Sequence, residues 1–135
     1  MQFKRTLADF LPFESYGRKI AFIEQTPYRT RKYTHAEVAE GIRRAAAALQ
    51  AQSLIAGDRV ILWGANSARW AMTFYACLLQ RIVIVPVDAS LSSEFIHKIK
   101  ALTQAKLLLC DAQQSDWDQL FVDSSRAQVT MKSVP

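Results

Sequence analysis

The sequence predicts an α/β domain built on a parallel sheet, and three observations indicate it. Residues 59–63 form a short run of β-forming residues after a turn at Gly57 and Asp58, and residues 82–87 are almost continuously valine and isoleucine. Between them, apolar residues recur at offsets of three and four, as in an amphipathic helix. Because two strands joined by a helix must pair in parallel, with a crossover that is almost always right-handed, residues 57–91 predict a βαβ unit.

The N-terminal elements follow from turn and cap signals. Residues 6–11 predict a short helix that ends near Pro12, whose basic and apolar mixture could lie on a membrane surface but is expected to dock on the domain. Residues 20–25 and 32–34 flank a turn around Pro27, which predicts a β-hairpin. A capping box of Thr34 with Glu37 then begins a helix. Its predicted inner face is Val38, Ala39, Ile42, Ala46 and Leu49.

The remaining helices and strands complete the sheet. Asn66 or Ser67 is expected to cap the helix of the βαβ unit, and Ser92 or Ser93 a further helix. The apolar residues of these two helices are Trp70, Phe74, Cys77 and Leu78, then Phe95, Ile96, Ile99 and Leu102. Residues 106–110 supply a third parallel strand. A strand that is apolar at almost every position is expected to be buried on both faces, and residues 82–87 fit this description.

Composition limits the class of protein. A length of 135 residues, half of them hydrophobic and 21% charged, predicts one globular domain. No apolar run approaches the roughly 20 residues that span a bilayer, and no secretory leader is recognised. We therefore expect a cytoplasmic location, with a peripheral association with the membrane left open. Cys77 and Cys110 lie in apolar runs, so both are interpreted as buried free thiols.

The formal net charge of +5 is spread along the chain. Its densest cluster is Arg29, Arg31 and Lys32, with Arg43 and Arg44 one helix further on. Such a cluster could bind a phosphate or an acidic carrier, but a solvated face is the favoured interpretation. Since aromatic residues are not interleaved with it, we expect no nucleic-acid partner.

The search for catalytic motifs is mostly negative. Four glycines cannot supply a GxGxxG or GxxxxGK phosphate loop. Ser67 is better explained as a helix cap than as a nucleophile, and His35 and His97 have no metal-ligand partners at the usual spacing. We therefore predict no catalytic residue and no metal site.

Two aspartates and four aromatic residues leave alternatives open. Asp88 and Asp111 each follow a predicted parallel strand, at the edge where open α/β sheets bind ligands. The pair could therefore hold a metal ion or, in a receiver-like module, accept a phosphoryl group. Turn or cap roles are favoured for both. The aromatic residues could line an acyl channel, although aromatic residues at helical spacing are more often core. They are Trp63, Trp70, Phe74 and Tyr75.

Four motifs, in order, carry a resemblance that covers roughly residues 20–111. They are RKYTHAE at residues 31–37, GDRV at 57–60, GANS at 64–67 followed by Trp70, and VIVPVD at 83–88. In this order they resemble the N-terminal end of adenylate-forming enzymes, the AMP-binding superfamily that includes fatty acid CoA ligases. One departure is Gln80 and Arg81, where many relatives have a glycine before the second strand.

This resemblance implies more than the residues show alone. It implies part of a doubly wound, mostly parallel sheet with flanking helices, with residues 1–111 as an N-terminal α/β subdomain and residues 112–135 as a linker or truncated element. The parent enzyme would use ATP and Mg²⁺ to adenylate a carboxylic acid, with a fatty acid favoured, and would transfer the acyl group to the thiol of coenzyme A. The family's phosphate loop and C-terminal domain lie further along, so the rest of its own chain is the expected partner. The 135 residues alone are predicted to be inactive and to bind no cofactor tightly.

Two alternatives stay open. An adenylate-forming enzyme could instead use an aryl or amino acid, or load a carrier protein. A different class would be a standalone α/β binding module with its site at Asp88 and Asp111. A truncated subdomain would also expose apolar surface, which makes a homo-oligomer a further expectation.

Overall fold

The computed structural model describes residues 6–7, 13–110 and 129–130. A short 3-10 helix, Phe13–Tyr16, precedes the main elements, which we number in chain order. They are β1 (Ile20–Thr26), β2 (Arg29–Thr34), α1 (His35–Ala51), β3 (Arg59–Trp63), α2 (Ala68–Leu79), β4 (Val83–Val87), α3 (Ser93–Thr103), β5 (Leu107–Cys110) and β6 (Val129–Thr130). The helix expected at residues 6–11 lies largely outside the described residues.

The predicted hairpin is confirmed. Strands β1 and β2 pair antiparallel, with Thr26 opposite Arg29 at the turn. The Thr26 hydroxyl oxygen accepts a hydrogen bond from the Arg29 backbone N–H at 3.1 Å and closes the turn. Within β2, alternation places Tyr33 toward the core, where only 8% of its surface is exposed.

Helix α1 begins with the predicted capping box. The Thr34 hydroxyl accepts from the Glu37 N–H at 3.1 Å, and the Glu37 carboxylate accepts from the Thr34 N–H at 2.8 Å. Two of the N–H groups that a helix start leaves without partners are thereby satisfied. The inner face matches the prediction except that Ala46 is half-buried and two small residues join it. The buried residues are Val38, Ala39, Gly41, Ile42, Ala45 and Leu49.

The predicted parallel sheet is also confirmed. The described strands are ordered β4-β3-β5-β6, and each neighbouring pair is parallel. Strand β6 falls in the segment that the sequence assigned to a linker or truncated element, and the boundary at residue 111 stays a prediction. The carboxyl ends are level, since Trp63 lies beside both Val87 and Cys110.

Helices cover both faces of the sheet. Val60 and Leu62 of β3 face a cluster that contains residues of α1 and α2, whereas Ile61 and Trp63 face a cluster that contains Ile96 of α3. Because side chains alternate between the two faces along β3, this one strand contributes residues to two separate hydrophobic cores. This arrangement confirms the expected part of a doubly wound sheet with flanking helices.

Strand β4 corrects one expectation, because it is not buried on both faces. It is the edge strand of the described sheet, and Val83 is 45% exposed. Pro86 lies in its middle and is exposed. Because a proline has no N–H to donate to a neighbouring strand, it is tolerated in an edge strand. Pro86 therefore indicated an edge position, although the surrounding residues are apolar.

Helix α3 is less buried than its pattern predicts. Ser92 caps it, with its hydroxyl oxygen accepting from the Phe95 N–H at 3.2 Å. Ile96 is fully buried, but Phe95 is 47% and Leu102 85% exposed. Only part of the predicted apolar face therefore contacts the sheet.

The connection between α2 and β4 contains Gln80 and Arg81, the two residues that stand where the family resemblance leads us to expect a glycine. Arg81 follows the C-cap residue Gln80 and has a φ of 57°, the left-handed conformation that favours glycine. Its carbonyl accepts from the Gly57 N–H at 2.9 Å, which fixes this conformation to the turn before β3. Arg81 thus carries backbone strain that a glycine at this position would not have.

We predict that Arg81→Gly stabilises the fold by about 0.5 to 1 kcal/mol, because it relieves the left-handed strain at some cost in chain entropy. The free energy of unfolding in urea measures the change. Arg81→Ala is the control, since it removes the guanidinium but keeps the Cβ. Equal stabilisation by alanine and glycine would show that the charge, and not the backbone, is responsible.

Candidate functional site

The carboxyl ends of β3, β4 and β5 form what we call the upper edge, comprising Trp63, Gly64, Val87, Asp88 and Cys110. Open parallel sheets bind ligands outside this edge. Asp111 lies outside the described residues, so its position relative to Asp88 stays a prediction. The upper edge is therefore the first place to look for chemistry.

Asp88 has the turn role that the sequence favours. Its Oδ1 accepts hydrogen bonds from the Ser90 backbone N–H at 2.7 Å and from the Ser90 hydroxyl at 2.6 Å. These two bonds hold the pKa of the exposed Asp88 carboxyl below its usual value. The carboxylate thus shapes the loop between β4 and α3.

The N-terminus of α2 is already satisfied by protein groups. The Ser67 hydroxyl oxygen accepts from the Trp70 N–H at 3.1 Å, which confirms Ser67 as a cap. Glu24, which lies on β1 and 44 residues away, accepts from the Ala68 N–H at 3.1 Å. A carboxylate therefore occupies the positive end of this helix, where an anionic ligand would otherwise bind.

Tyr33 completes this capping network. Its hydroxyl donates to Glu24 Oε2 at 3.4 Å, the outer limit of a hydrogen bond. Burial, followed by the negative charge of Glu24, raises the pKa of Tyr33. A groove of about 310 Å³ runs beside the network, and Phe22, Glu24, Asn66 and Ser67 are among its lining residues.

The basic cluster is only partly assembled. Arg31 and Arg44 line one cleft of about 630 Å³ between the hairpin, α1 and α2. The Arg31 guanidinium stacks 4.6 Å from the centre of the Tyr33 ring, and Arg44 pairs with Glu40 at 3.0 Å. Arg69 of α2 joins the cleft, and sequence reasoning missed it because nothing local links it to residues 29–44.

Negative charge balances this cleft. Glu40 accepts from Arg43 and Arg44, and these hydrogen bonds lower the pKa of its exposed carboxyl. Glu37 lines the same cleft while it serves the capping box. The cluster is thus a mixed, solvated face, as the favoured interpretation held.

The histidines have structural roles or exposed positions. His35 Nδ1 lies 2.8 Å from the Lys19 carbonyl oxygen, and its ring is 5.2 Å from that of Tyr16. His97 is exposed on α3. Among the described residues, no group of three histidine, cysteine, aspartate or glutamate side chains is placed to hold a metal ion.

The four aromatic residues do not line one channel. Trp70, Phe74 and Tyr75 pack with the α1 and α2 cluster, where Trp70 and Phe74 stack at 5.4 Å. Trp63 belongs to the cluster on the opposite face of the sheet. The core interpretation is therefore confirmed. Trp63 Nε1 is buried with no hydrogen-bond partner among the described residues, which is costly for a buried donor.

Both cysteines are buried and neither forms a disulfide, as predicted. Burial raises the pKa of the Cys77 thiol to about 12. A thiolate is the nucleophilic form, so Cys77 is not placed to act as a nucleophile.

We predict that neither thiol reacts rapidly in the folded protein. With a pKa of about 12, only about one Cys77 in ten thousand is a thiolate at pH 8, and burial restricts access as well. Titration with a chromogenic disulfide reagent should show two thiols in urea and almost none in buffer. Stoichiometric reaction in buffer under conditions where circular dichroism shows the native fold would contradict the burial.

The capping role of Glu24 generates a stability prediction. Glu24→Ala removes the acceptor of the Ala68 N–H and a negative charge from the helix start, so we expect a loss of about 1 to 3 kcal/mol in unfolding free energy. Tyr33→Phe should cost less because its bond is long.

Glu94→Ala is the matched control. Glu94 pairs with Lys98 at 3.7 Å on the exposed face of α3, and such pairs contribute no more than about 0.5 kcal/mol. If urea unfolding showed equal losses for Glu24→Ala and Glu94→Ala, the carboxylate of Glu24 would not be holding α2 in place.

Two further findings frame the comparison with known proteins. No helix among the described residues has the length and apolar character that crossing a membrane requires. A long-chain-fatty-acid CoA ligase of Mycobacterium bovis, FadD15, is 33% identical over 78 residues, which cover 58% of this chain and 13% of that ligase.

Solved structures share the fold. The fatty acyl CoA synthetase of Mycobacterium tuberculosis superposes with a TM-score of 0.79 at 20% identity, over 95% of this chain and 27% of that one. The N-terminal subdomain of Klebsiella oxytoca NpsA, in complex with 3-hydroxybenzoyl-AMSN, gives 0.77 at 21% identity, over 97% and 31%. At these identities the likeness shows the fold alone, and the chain spans less than a third of each of these relatives.

The family itself is shown by a broader match. The family model described as AMP-binding enzyme aligns with residues 12–134, which is most of the 135 residues. It includes the four motifs that carry the resemblance in the sequence. The chain therefore belongs to the AMP-binding enzyme family.

Proposed function

We propose that the chain is the N-terminal portion of an ATP-dependent acid-thiol ligase. The parent enzyme adenylates a carboxylic acid with release of pyrophosphate and transfers the acyl group to coenzyme A. The observation that carries this proposal is the family match over residues 12–134, together with 33% identity to a long-chain-fatty-acid CoA ligase. That ligase makes a fatty acid the first candidate substrate. The proposal includes the cytoplasmic location that the sequence leads us to expect.

In this proposal the chain supplies a scaffold and not the reacting groups. The sequence has four glycines and no phosphate loop, and the N-terminus of α2 is occupied by Glu24. ATP and Mg²⁺ would therefore be held by residues further along the parent chain. The sheet would support them from the upper edge, where parallel sheets bind ligands.

Two features on the α3 side of the sheet support the rest of the chain as the partner. Trp63 Nε1 is buried and lacks an acceptor among the described residues. Phe95 of α3 is 47% exposed although its helix pattern is amphipathic. An additional segment lying over the α3 side of the sheet could supply an acceptor and cover apolar surface.

The acid is the less constrained part of the proposal. The structure of NpsA contains a 3-hydroxybenzoyl group, so an aryl acid is the second candidate substrate, with a carrier protein as an alternative acceptor. A standalone module with a metal site at Asp88 has less support, because Ser90 already engages Asp88 Oδ1 with two hydrogen bonds.

We predict acid-dependent exchange of pyrophosphate into ATP by the full-length parent protein, with long-chain fatty acids giving the highest rate. The isolated 135-residue chain should give none, because the phosphate loop lies outside it. The measurement is isotope exchange with a panel of fatty, aryl and amino acids, with a reaction lacking acid as the control.

The outcomes separate the candidates. If pyrophosphate exchange depended on aryl acids alone, an aryl acid would replace the fatty acid as the proposed substrate. Exchange by the isolated chain, or no exchange by the parent protein with any acid, would contradict the proposed function.

A further inference from the structure

The edge of the sheet opposite the upper edge collects residues from several connections. Helices α2 and α3 join parallel strands, so their last turns lie where β3, β4 and β5 begin. Backbone hydrogen bonds hold these strand starts together: the Lys106 N–H donates to the Arg59 carbonyl at 2.7 Å, and the Val83 N–H to the Asp58 carbonyl at 2.8 Å. We call this surface the basal edge and define it by Ile55, Arg59, Leu79, Arg81, Leu102 and Lys106.

The basal edge is strongly cationic. Arg59 is the first residue of β3, Lys106 directly precedes β5, and Arg81 lies two residues before β4; all three are exposed. Within the described stretches that form this edge, residues 51–59, 78–83 and 100–107, Asp58 is the single acidic residue. Its Oδ2 accepts from the Ile55 N–H at 3.0 Å, so part of its hydrogen-bonding capacity is used inside the turn.

The same edge presents large apolar side chains. Ile55 is 70%, Leu79 54% and Leu102 85% exposed. They come from three elements, namely the turn before β3 and the ends of α2 and α3. Single exposed apolar residues are common, but three beside a row of cations at one sheet edge mark an interaction surface.

A shallow hollow adds a place for an anionic group. It has a volume of about 360 Å³ at the end of α3, and His97, Lys100 and Lys106 are among its lining residues. Beside it, the Arg59 guanidinium donates to the Thr103 carbonyl at 3.2 Å, which keeps this cation against the end of α3.

We propose that the basal edge docks on a bilayer that contains anionic phospholipids. The arginine and lysine side chains contact headgroup phosphates, while Ile55, Leu79 and Leu102 enter the boundary between headgroups and acyl chains. Docking through this edge leaves the upper edge, on the opposite side of the sheet, open. The proposal stands apart from the proposed function, because it needs no ATP and no acid substrate.

The test is co-sedimentation of the full-length parent protein, with the 135-residue chain measured beside it, with vesicles of phosphatidylcholine, with or without phosphatidylglycerol. Binding by the 135-residue chain but not by the parent protein would show that the rest of the chain covers the basal edge and would overturn the proposal. We expect binding to the anionic vesicles alone, weakened by salt. The double variant Arg81→Gln with Lys106→Gln should bind about tenfold more weakly, since each cation near an anionic surface contributes to binding. Leu102→Ser should also weaken binding while the net charge is unchanged.

The double variant Arg43→Gln with Arg44→Gln is the matched control. It removes the same charge from the middle of α1, away from the basal edge, so its binding should stay within about twofold of the wild type. Equal loss in both double variants would indicate unspecific attraction of a basic protein and would overturn the proposal. Absence of binding to anionic vesicles would overturn it as well.

A second measurement reports the depth of insertion. An environment-sensitive fluorophore on Leu102→Cys should shift to shorter wavelength with anionic vesicles, whereas the same label on Ala47→Cys, exposed on α1, should not. Equal wavelength shifts for the two labels would contradict the proposed orientation, in which the basal edge faces the bilayer. If the chain self-associated without vesicles and Leu102→Ser abolished that self-association, the basal edge would be assigned to a second copy of the chain. This result would overturn the proposal.

Discussion

The burial of β3 on both of its faces is the constraint on which the rest of the structure depends. Val60 and Leu62 lie in one hydrophobic cluster, Ile61 and Trp63 lie in the other, and all four are at most 2% exposed. Each such side chain contributes about 1.5 to 3 kcal/mol when it leaves water. A central strand with two apolar faces needs strands on both sides and helices above and below. The order β4-β3-β5, with α2 and α3 on opposite faces, meets that need.

The position of α2 then decides how the hairpin is attached. Gly41 of α1 lies so close to Met72 of α2 that a Cβ at Gly41 would overlap the Met72 sulfur. The Met72 side chain therefore packs into the space that the absence of a side chain at Gly41 leaves between the two helices. With α2 fixed in this way, its first N–H groups point at β1, and Glu24 accepts one of them. The hairpin is thus attached through this helix terminus and through the core packing of Tyr33, and not through pairing with a strand of the parallel sheet.

Features that depend on close neighbours in the sequence were predictable. The Thr34 capping box, the Ser67 and Ser92 caps and the hairpin turn each involve partners within four residues, so composition and spacing reveal them. Glu24 escaped prediction because its partner is 44 residues away. The exposure of β4 was missed since an apolar run describes side chains and not sheet position, although Pro86 carried that information. The candidate site could be predicted only as an edge of the sheet, because strand direction follows from the βαβ pattern whereas long-range contacts such as that of Glu24 do not.

The two edges of the sheet differ in electrostatic character, and this difference follows from local hydrogen bonding. At the upper edge, protein groups already satisfy the polar ends: Ser90 engages Asp88, and Glu24 engages the positive end of α2. At the basal edge the carboxyl ends of α2 and α3 meet residues 81 and 106, and cations are favoured beside helix carboxyl ends. The same βαβ topology therefore places the cations at the basal edge, where α2 and α3 end, and the Asp88 loop and the Glu24 cap at the upper edge, where the strands end.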